Sequence, residues 1–140
     1  MTRGQVAAIS AVLIVAGCGS RISVAPVSGT VTLDGQPLAN AHVLFQPVAT
    51  SGKTNVGTGS YAMTDGSGSF SLRQADTDQP GAVVGQHRVE ISYKVETDDR
   101  DPKTRPPPKS LPPRYNRESE LQFQVERGGS KVANFDLKSR

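Results

Sequence analysis

The fold is decided by residues 27–47, which read VSGTVTLDGQPLANAHVLFQP. On both sides of Asp34-Gly35 apolar side chains alternate with polar ones, and a period of two is typical of a strand that buries one face. Asp-Gly is a strong signal for a tight turn, and Pro47 ends the second run. The stretch therefore predicts two strands whose inward side chains are Val27, Val31, Leu33, Ala41, Val43 and Phe45.

The same period of two recurs towards the C-terminal end, and no run shows a sustained period of 3.6. The turn-rich segment 64–68 separates two of these runs, and Arg127-Gly128-Gly129-Ser130 predicts a hairpin between the last two. Short alternating strands joined by turns are typical of an antiparallel sandwich. We therefore expect an all-β fold, a sandwich of about seven antiparallel strands, whose remaining strands lie at residues 61–63, 70–72, 87–93, 121–125 and 133–137.

The composition favours one small domain with an aliphatic core. The chain has 140 residues, of which 35% are hydrophobic and only 5% aromatic, and it contains no Trp. Fourteen Gly and ten Pro indicate many turns and argue against a helical bundle. The single Cys excludes an internal disulfide and a cluster of thiolate metal ligands.

The first seventeen residues differ from the rest of the chain. Arg3 provides a short positive segment, and residues 6–17 carry no charge and are mostly apolar. This run is too short to cross a hydrocarbon core of about 30 Å as a helix. A positive segment followed by a short apolar run is typical of a secretory signal peptide, which we assign to residues 1–17.

The end of that run resembles the lipobox of bacterial lipoproteins, because it reads Val15-Ala16-Gly17-Cys18. The resemblance implies that the three small residues are recognised by a signal peptidase and that the Cys18 thiol receives a diacylglyceryl group. Two or more acyl chains hold a protein stably on a membrane. We therefore expect attachment to the cell envelope through Cys18, with residues 18–26 as a tether. The alternative is an ordinary signal peptide followed by a buried free Cys.

The residue after Cys18 indicates which of the two bacterial membranes carries the chain. By resemblance to lipoprotein sorting in bacteria with two membranes, Gly19 in place of Asp implies the outer membrane. The expected location is thus the outer membrane, with the domain on its periplasmic or surface face.

Segment 94–119 is unlike a strand, because it contains six prolines, which lack the donors that a central strand needs. We predict a Pro-rich loop at about 95–119. Seven basic and five acidic residues lie in the segment, which accounts for the whole net charge of +2 after residue 17. The loop is either a partner-contact surface or a plain spacer. The candidate contact residues are Arg100, Lys103, Arg105, Lys109, Arg114 and Tyr115.

Four stretches resemble the carboxypeptidase regulatory-like domain, a transthyretin-like (prealbumin-like) β-sandwich. Residues 27–45 resemble its first hairpin, and TDGSGSFSL at 64–72 resembles its second motif. Residues 81–91 resemble a later strand, with His87 where an aromatic residue is usual. LPPRYN at 111–116 resembles the ending of a bacterial lipoprotein subset of the family. The resemblance implies one sandwich domain over residues 27–140. Tyr115, after two prolines, is expected to pack on the sandwich and fix the end of the long loop.

The residues do not form a recognisable catalytic constellation. The sequence contains neither a His-Glu-x-x-His zinc motif nor a Gly-x-Ser-x-Gly nucleophile elbow. The alternation places His42 outward and His87 inward, so we predict no metal site from these two residues. The regulatory-like domain that the chain resembles is the non-catalytic part of its enzymes. We predict neither enzymatic activity nor a cofactor.

The expected function is therefore that of a non-catalytic, lipid-anchored cell-envelope protein, acting as a structural or interaction module. Its expected partners are the membrane, through the lipid on Cys18, and an envelope protein or polysaccharide. A charge surplus of +2 is too small to favour nucleic acid. One alternative is a glycan- or ligand-binding sandwich, for which Tyr61, Tyr93 and Tyr115 are the aromatic candidates. A small hydrolase or metalloenzyme is the other alternative.

Overall fold

A computed structural model of the protein describes residues 21–50, 52, 56–93 and 111–140. These residues form eleven strands and one short 3-10 helix, η1. In chain order the elements are β1 (Val24–Ala25), β2 (Ser28–Leu33), β3 (Gln36–Pro37), β4 (Ala41–Pro47), β5 (Ser60–Met63), β6 (Ser69–Ser71), β7 (Arg73–Gln74), β8 (Ala82–Val83), β9 (Gly85–Tyr93), η1 (Pro113–Tyr115), β10 (Gln122–Val125) and β11 (Phe135–Leu137).

The larger sheet has five strands in the order β10-β9-β4-β5-β7, and every neighbouring pair in it is antiparallel. β4 and β9 form its longest pairing, which runs from Ala41 opposite Tyr93 to Pro47 opposite His87. Along both strands every second side chain is buried, as the period of two predicts. The exposed alternate side chains form the outer face of this sheet.

The second sheet is built around β2. β3 and β6 lie on one side of β2, and β11 lies on the other side, where it runs parallel to β2. A separate two-stranded ribbon pairs β1 with β8. Phe45 of the larger sheet meets Phe135 of the second sheet edge to face, with ring centroids 6.1 Å apart. The two sheets therefore pack face to face.

Aromatic rings fill the centre of the interface between the sheets. The rings of Phe123 and Phe70 each lie within 6.4 Å of the Phe135 ring, so all four Phe of the chain belong to one cluster. The imidazole of His87 joins this cluster, 5.7 Å from the Phe45 ring. Such offset and edge-to-face contacts are favourable beyond the area they bury. An aliphatic shell surrounds them, including Val31, Val43, Leu72, Val89, Ile91, Val125 and Leu137.

The predicted all-β sandwich is confirmed. Four of the eleven strands have two residues each, and the seven longer ones correspond to the seven predicted from the alternation. The inward direction of His87 and the outward direction of His42 are also confirmed, since His87 is fully buried and His42 is exposed.

The predicted hairpin at residues 127–130 is wrong. β10 pairs with β9 in the larger sheet, whereas β11 pairs with β2 in the second sheet, so this segment crosses between the sheets. It is held beside the N-terminal segment, where Ser130 N–H donates to the Pro26 carbonyl over 2.9 Å. Gly129 has φ +79°, and a Cβ on it would lie 2.3 Å from that carbonyl oxygen. Only glycine permits both the backbone conformation and the close approach.

The folded part of the chain begins before the predicted boundary at residue 27. Val24 and Ala25 pair with β8, and Ala25 is buried at 1% exposure. Residues 24–26 are thus part of the sandwich and not of the tether predicted over 18–26. A two-residue strand carries no detectable period, which explains why the alternation did not reveal it.

Candidate functional site

Most of the predicted site residues lie outside the described residues. This applies to Val15, Ala16, Gly17 and Cys18 of the lipobox and to Arg100, Lys103, Arg105 and Lys109 of the Pro-rich loop. Their roles stay predictions. Of the predicted partner contacts, Arg114 and Tyr115 are described, and both lie in η1.

Tyr115 packs into the sandwich, as the sequence predicted. Its side chain belongs to the hydrophobic core, and its hydroxyl oxygen accepts a hydrogen bond from the Lys138 backbone N–H over 2.9 Å. The Arg114 guanidinium lies 4.9 Å from the centre of the Tyr115 ring and donates to the Lys138 carbonyl over 3.0 Å. Burial raises the pKa of the Tyr115 phenol, but hydrogen bonds from Arg114 and Lys138 outweigh it and leave the pKa below its ordinary value. These contacts attach η1 to the C-terminal strand.

Replacing Tyr115 with phenylalanine should lower the free energy of unfolding by about 1 kcal/mol, because the Lys138 N–H loses its acceptor while the ring stays packed. Urea unfolding followed by circular dichroism measures the change. Tyr93→Phe is the matched control, since the hydroxyl of half-buried Tyr93 forms no hydrogen bond with any described residue and its loss should change stability by less than about 0.5 kcal/mol. Equal losses in the two variants would contradict the proposed attachment of η1.

The described end of the Pro-rich loop is fixed to the sandwich beyond Tyr115. Leu111 and Ser119 are buried, and the Ser119 hydroxyl donates to the Val89 carbonyl of β9. Arg88 of β9 donates to the carbonyls of Arg117 and Ser119, both over 3.1 Å. Residues 111–119 therefore belong to the folded domain, although the sequence placed them in the loop.

A groove opens at the end of the sandwich where the described chain begins. Its volume is about 380 Å³, within the range of small-molecule sites. It is formed by the residues before β1, the end of β4, described residues between β4 and β5, the segment from β8 to the start of β9, and the crossing segment after β10. We call it the N-terminal groove; the side chains that line it include Arg21, Ile22, Val48, Val84, His87 and Arg127.

The N-terminal groove combines an apolar wall with positive charge. Ile22 is 45% exposed and Val48 is 43% exposed, and both side chains line the groove. Neither Arg21 nor Arg127 forms an ion pair with any described residue. No Asp or Glu is found among the described residues that line the groove. The surface therefore suits a ligand that is both apolar and anionic.

His87 lines the inner part of the same groove. Its Nδ1 lies 3.1 Å from the Gly85 carbonyl, which can only accept, so Nδ1 carries the proton and Nε2 is an acceptor. Nε2 is buried without a hydrogen-bond partner among the described residues. Burial lowers the pKa of His87, against an opposing effect of the Gly85 carbonyl, so the ring is neutral at pH 7.

The outer face of the larger sheet carries the one exposed Tyr ring among the described aromatic residues, that of Tyr61 at 44%. Its hydroxyl donates to Asp78, which also forms a two-point ion pair with Arg73 at 2.7 and 3.0 Å. The hydrogen bonds from Arg73 and then Tyr61 lower the pKa of the Asp78 carboxyl. This cluster fixes the turn after β7, and it engages the hydroxyl of Tyr61, one of the three aromatic candidates for the glycan-binding alternative.

The described residues contain no group of three or more His, Cys, Asp or Glu side chains placed to bind a metal ion. Within the same ranges, no helix has the length and apolar character needed to cross a bilayer. His42 and His87 point to opposite faces of the larger sheet, so they cannot share one ligand.

Residues 27–104 match the model of DUF6795, a domain of unknown function. The chain belongs to the DUF6795 family. No curated protein and no solved structure is significantly similar to it. The matched part of the DUF6795 chain runs from β2 through β9, whereas η1, β10 and β11 lie beyond it. The sandwich needs these later elements, because Val125 and Phe135 belong to its core.

The N-terminal groove of this DUF6795 protein was not predicted from the sequence. Ile22 lies in the expected tether and Arg127 in the expected hairpin, and the pattern gave no reason to bring them together. The sequence did offer one signal for an apolar surface, because the isolated apolar residues Ile22 and Val48 lie outside the predicted strands.

Proposed function

We propose that the protein is a lipid-anchored component of the bacterial cell envelope, attached through Cys18, whose sandwich is a non-catalytic interaction module. The observation that carries the proposal is the position of the only Cys. Cys18 ends the only long apolar run and precedes the first strand, at Val24, by six residues.

The short spacing supports a domain that lies against the membrane. Six residues span at most about 22 Å when fully extended. The domain would thus remain within about its own diameter of the bilayer surface, with the end that contains β1 turned towards it. Ile22, Val24 and Val48 are all exposed at or near this end. Lipid attachment gives these apolar side chains a neighbouring apolar phase.

The non-catalytic part of the proposal is supported by the contacts of three buried hydroxyl groups, whereas a fourth, that of Ser60, has no hydrogen-bond partner among the described residues. Thr64 Oγ1 donates to the Leu38 carbonyl over 2.6 Å and accepts from the Ala41 N–H over 2.8 Å. The hydroxyls of Tyr115 and Ser119 likewise bond to the backbone of neighbouring strands. These groups stabilise connections within the sandwich, which is a structural use of side chains that could otherwise act as nucleophiles or acids.

Replacing Cys18 with alanine should abolish lipid attachment, because the thioether needs the thiol sulfur. Cells that express the wild-type chain are expected to incorporate radiolabelled palmitate into it and to retain it in the membrane fraction. Cys18→Ala should show no incorporation and should appear with its signal peptide uncleaved or in the soluble fraction.

Ser20→Ala is the matched control, since it changes a small residue two positions later and should leave labelling intact. Absence of palmitate from the wild-type chain, or its persistence in Cys18→Ala, would overturn the proposal. Fractionation of the wild-type chain then distinguishes the outer membrane from the inner one.

A further inference from the structure

We propose that the N-terminal groove binds an anionic phospholipid of the membrane that carries Cys18, with the phosphate at Arg21 and Arg127 and the glycerol and first methylene groups against Ile22 and Val48. The inference rests on the proposed attachment at Cys18. It identifies the lipid that binds the end of the sandwich facing the membrane.

The short covalent chain between Cys18 and Arg21 limits how far the groove can lie from the lipid attachment point. Arg21 follows Cys18 by three residues, which span at most about 11 Å. The polar region of a bilayer leaflet is about 5–8 Å thick. The groove therefore lies within reach of the lipid head groups whenever Cys18 carries its lipid.

The charge of the groove selects an anion. Arg21 and Arg127 come from opposite ends of the described chain and both line the groove without an ion-pair partner among the described residues. A guanidinium binds phosphate oxygens through two parallel hydrogen bonds. Basic residues held at the surface of an anionic membrane are also attracted by its surface potential.

The apolar wall distinguishes a lipid from a free phosphate. Ile22 and Val48 expose nearly half of their surface, and Val83 and Val84 extend the same wall. A soluble phosphate would leave this wall in water, whereas the glycerol and upper acyl region of a phospholipid would cover it. The combination of two guanidinium groups and an aliphatic wall thus matches an amphiphilic anion.

His87 lines the inner part of the groove as a buried ring. Its buried Nε2 can accept a hydrogen bond, and no described residue supplies one. Because His87 is fully buried, a ligand in the groove does not contact Nε2, and the neutral ring adds no charge beside the two guanidinium groups. Phosphatidylglycerol combines a negative phosphate for the two guanidinium groups with acyl chains for the apolar wall, and we therefore take it as the probe.

The test uses the full lipidated protein reconstituted into vesicles. A Val48→Cys variant is labelled with an environment-sensitive fluorophore, and acrylamide, a neutral quencher, measures access to the label. Cys18 is not labelled because its sulfur is a thioether. In vesicles of equal parts phosphatidylglycerol and phosphatidylcholine the Val48 label should be protected, and in pure phosphatidylcholine it should remain accessible.

The control position is Met63, whose side chain is 54% exposed. Met63 lies opposite His42 at the other end of β4 from Val48, so its label should remain accessible in both vesicles. Arg21→Gln combined with Arg127→Gln should weaken phosphatidylglycerol binding about thirtyfold and expose the Val48 label. The corresponding pair of Lys substitutions keeps the charge and should restore most of the protection.

Three kinds of result overturn the inference. Equal access to Val48 in the two vesicles, or protection that survives the double Gln variant, would show that the groove does not bind the anionic lipid. Loss of protection on adding free glycerol phosphate in phosphatidylglycerol vesicles would assign the groove to a soluble phosphate. A protein that stays on neither vesicle lacks the lipid on Cys18, and that result overturns the attachment itself and is distinguishable from the other two.

Discussion

Replacing Gly29 with alanine is expected to destabilise the protein by about 3 kcal/mol or more. Gly29 occupies an inward position of β2, between Val27 and Val31. A Cβ there would lie 2.0 Å from the carbonyl oxygen of Ala133 and 2.4 Å from its carbonyl carbon. Both atoms belong to the backbone, so relief requires the two segments to separate. Overpacking of this kind costs about 1–3 kcal/mol and sometimes more.

The segments cannot separate without losing hydrogen bonds. Ala133 N–H donates to the Ser28 carbonyl over 3.1 Å, and the Thr30 N–H donates to the Asn134 side chain over 3.1 Å. Gly29 therefore lies between two bonds that hold β11 beside β2. Domains of this size have a total stability of about 5–15 kcal/mol, so the variant should show a strongly lowered urea midpoint or fail to accumulate as folded protein.

Gly128→Ala is the matched control for this prediction. A Cβ at Gly128 meets nothing within 4 Å, and its φ is not in the left-handed region. Alanine at this position should change the free energy of unfolding by less than about 0.5 kcal/mol. A Gly29→Ala variant as stable as Gly128→Ala would contradict the close approach of β2 to the segment before β11.

The sequence reveals the strands and their inward faces but not their neighbours. Val43, Phe45, Val89 and Ile91 are buried as their spacing predicts, because a period of two follows directly from strand geometry. Strand pairing instead depends on where the chain crosses between sheets. Gly128-Gly129 has the composition of a hairpin turn and also that of a crossing segment, so local chemistry cannot distinguish the two.

Gly29 is a sequence signal for the close contact between β2 and the segment before β11. A glycine inside an alternating strand often marks the close approach of another backbone, and here that backbone belongs to Ala133. The N-terminal groove had no comparable signal, because its lining residues lie up to 106 positions apart, from Arg21 to Arg127. Sites assembled by tertiary structure from distant segments leave no local period or motif. The proposed attachment site, in contrast, is a contiguous stretch of sequence ending at Cys18, so it could be predicted from the sequence alone.

The protein should lose stability as the pH falls below about 6.5, because His87 is neutral in the folded state and takes up a proton on unfolding. Burial lowers its folded pKa, and no charged side chain opposes this shift. The unfolded chain therefore binds more protons than the folded one between the folded pKa and about 6.5. Stability is complete above that window and falls by up to about 1.4 kcal/mol per pH unit within it.

Histidine is the side chain whose ordinary pKa lies in this range, and the chain has only two. His87→Phe should remove the slope, since its ring can occupy the same space beside Phe45 and cannot titrate. His42→Phe is the control, because His42 is exposed on the outer face and its removal should leave the slope in place. Urea unfolding at a series of pH values measures both. If His87→Phe does not fold, titration of the wild-type imidazole signals by NMR decides the question. A His87 signal that protonates at or above the ordinary pKa of histidine contradicts the buried neutral ring. A His87 signal that stays neutral well below that pKa supports the buried neutral ring.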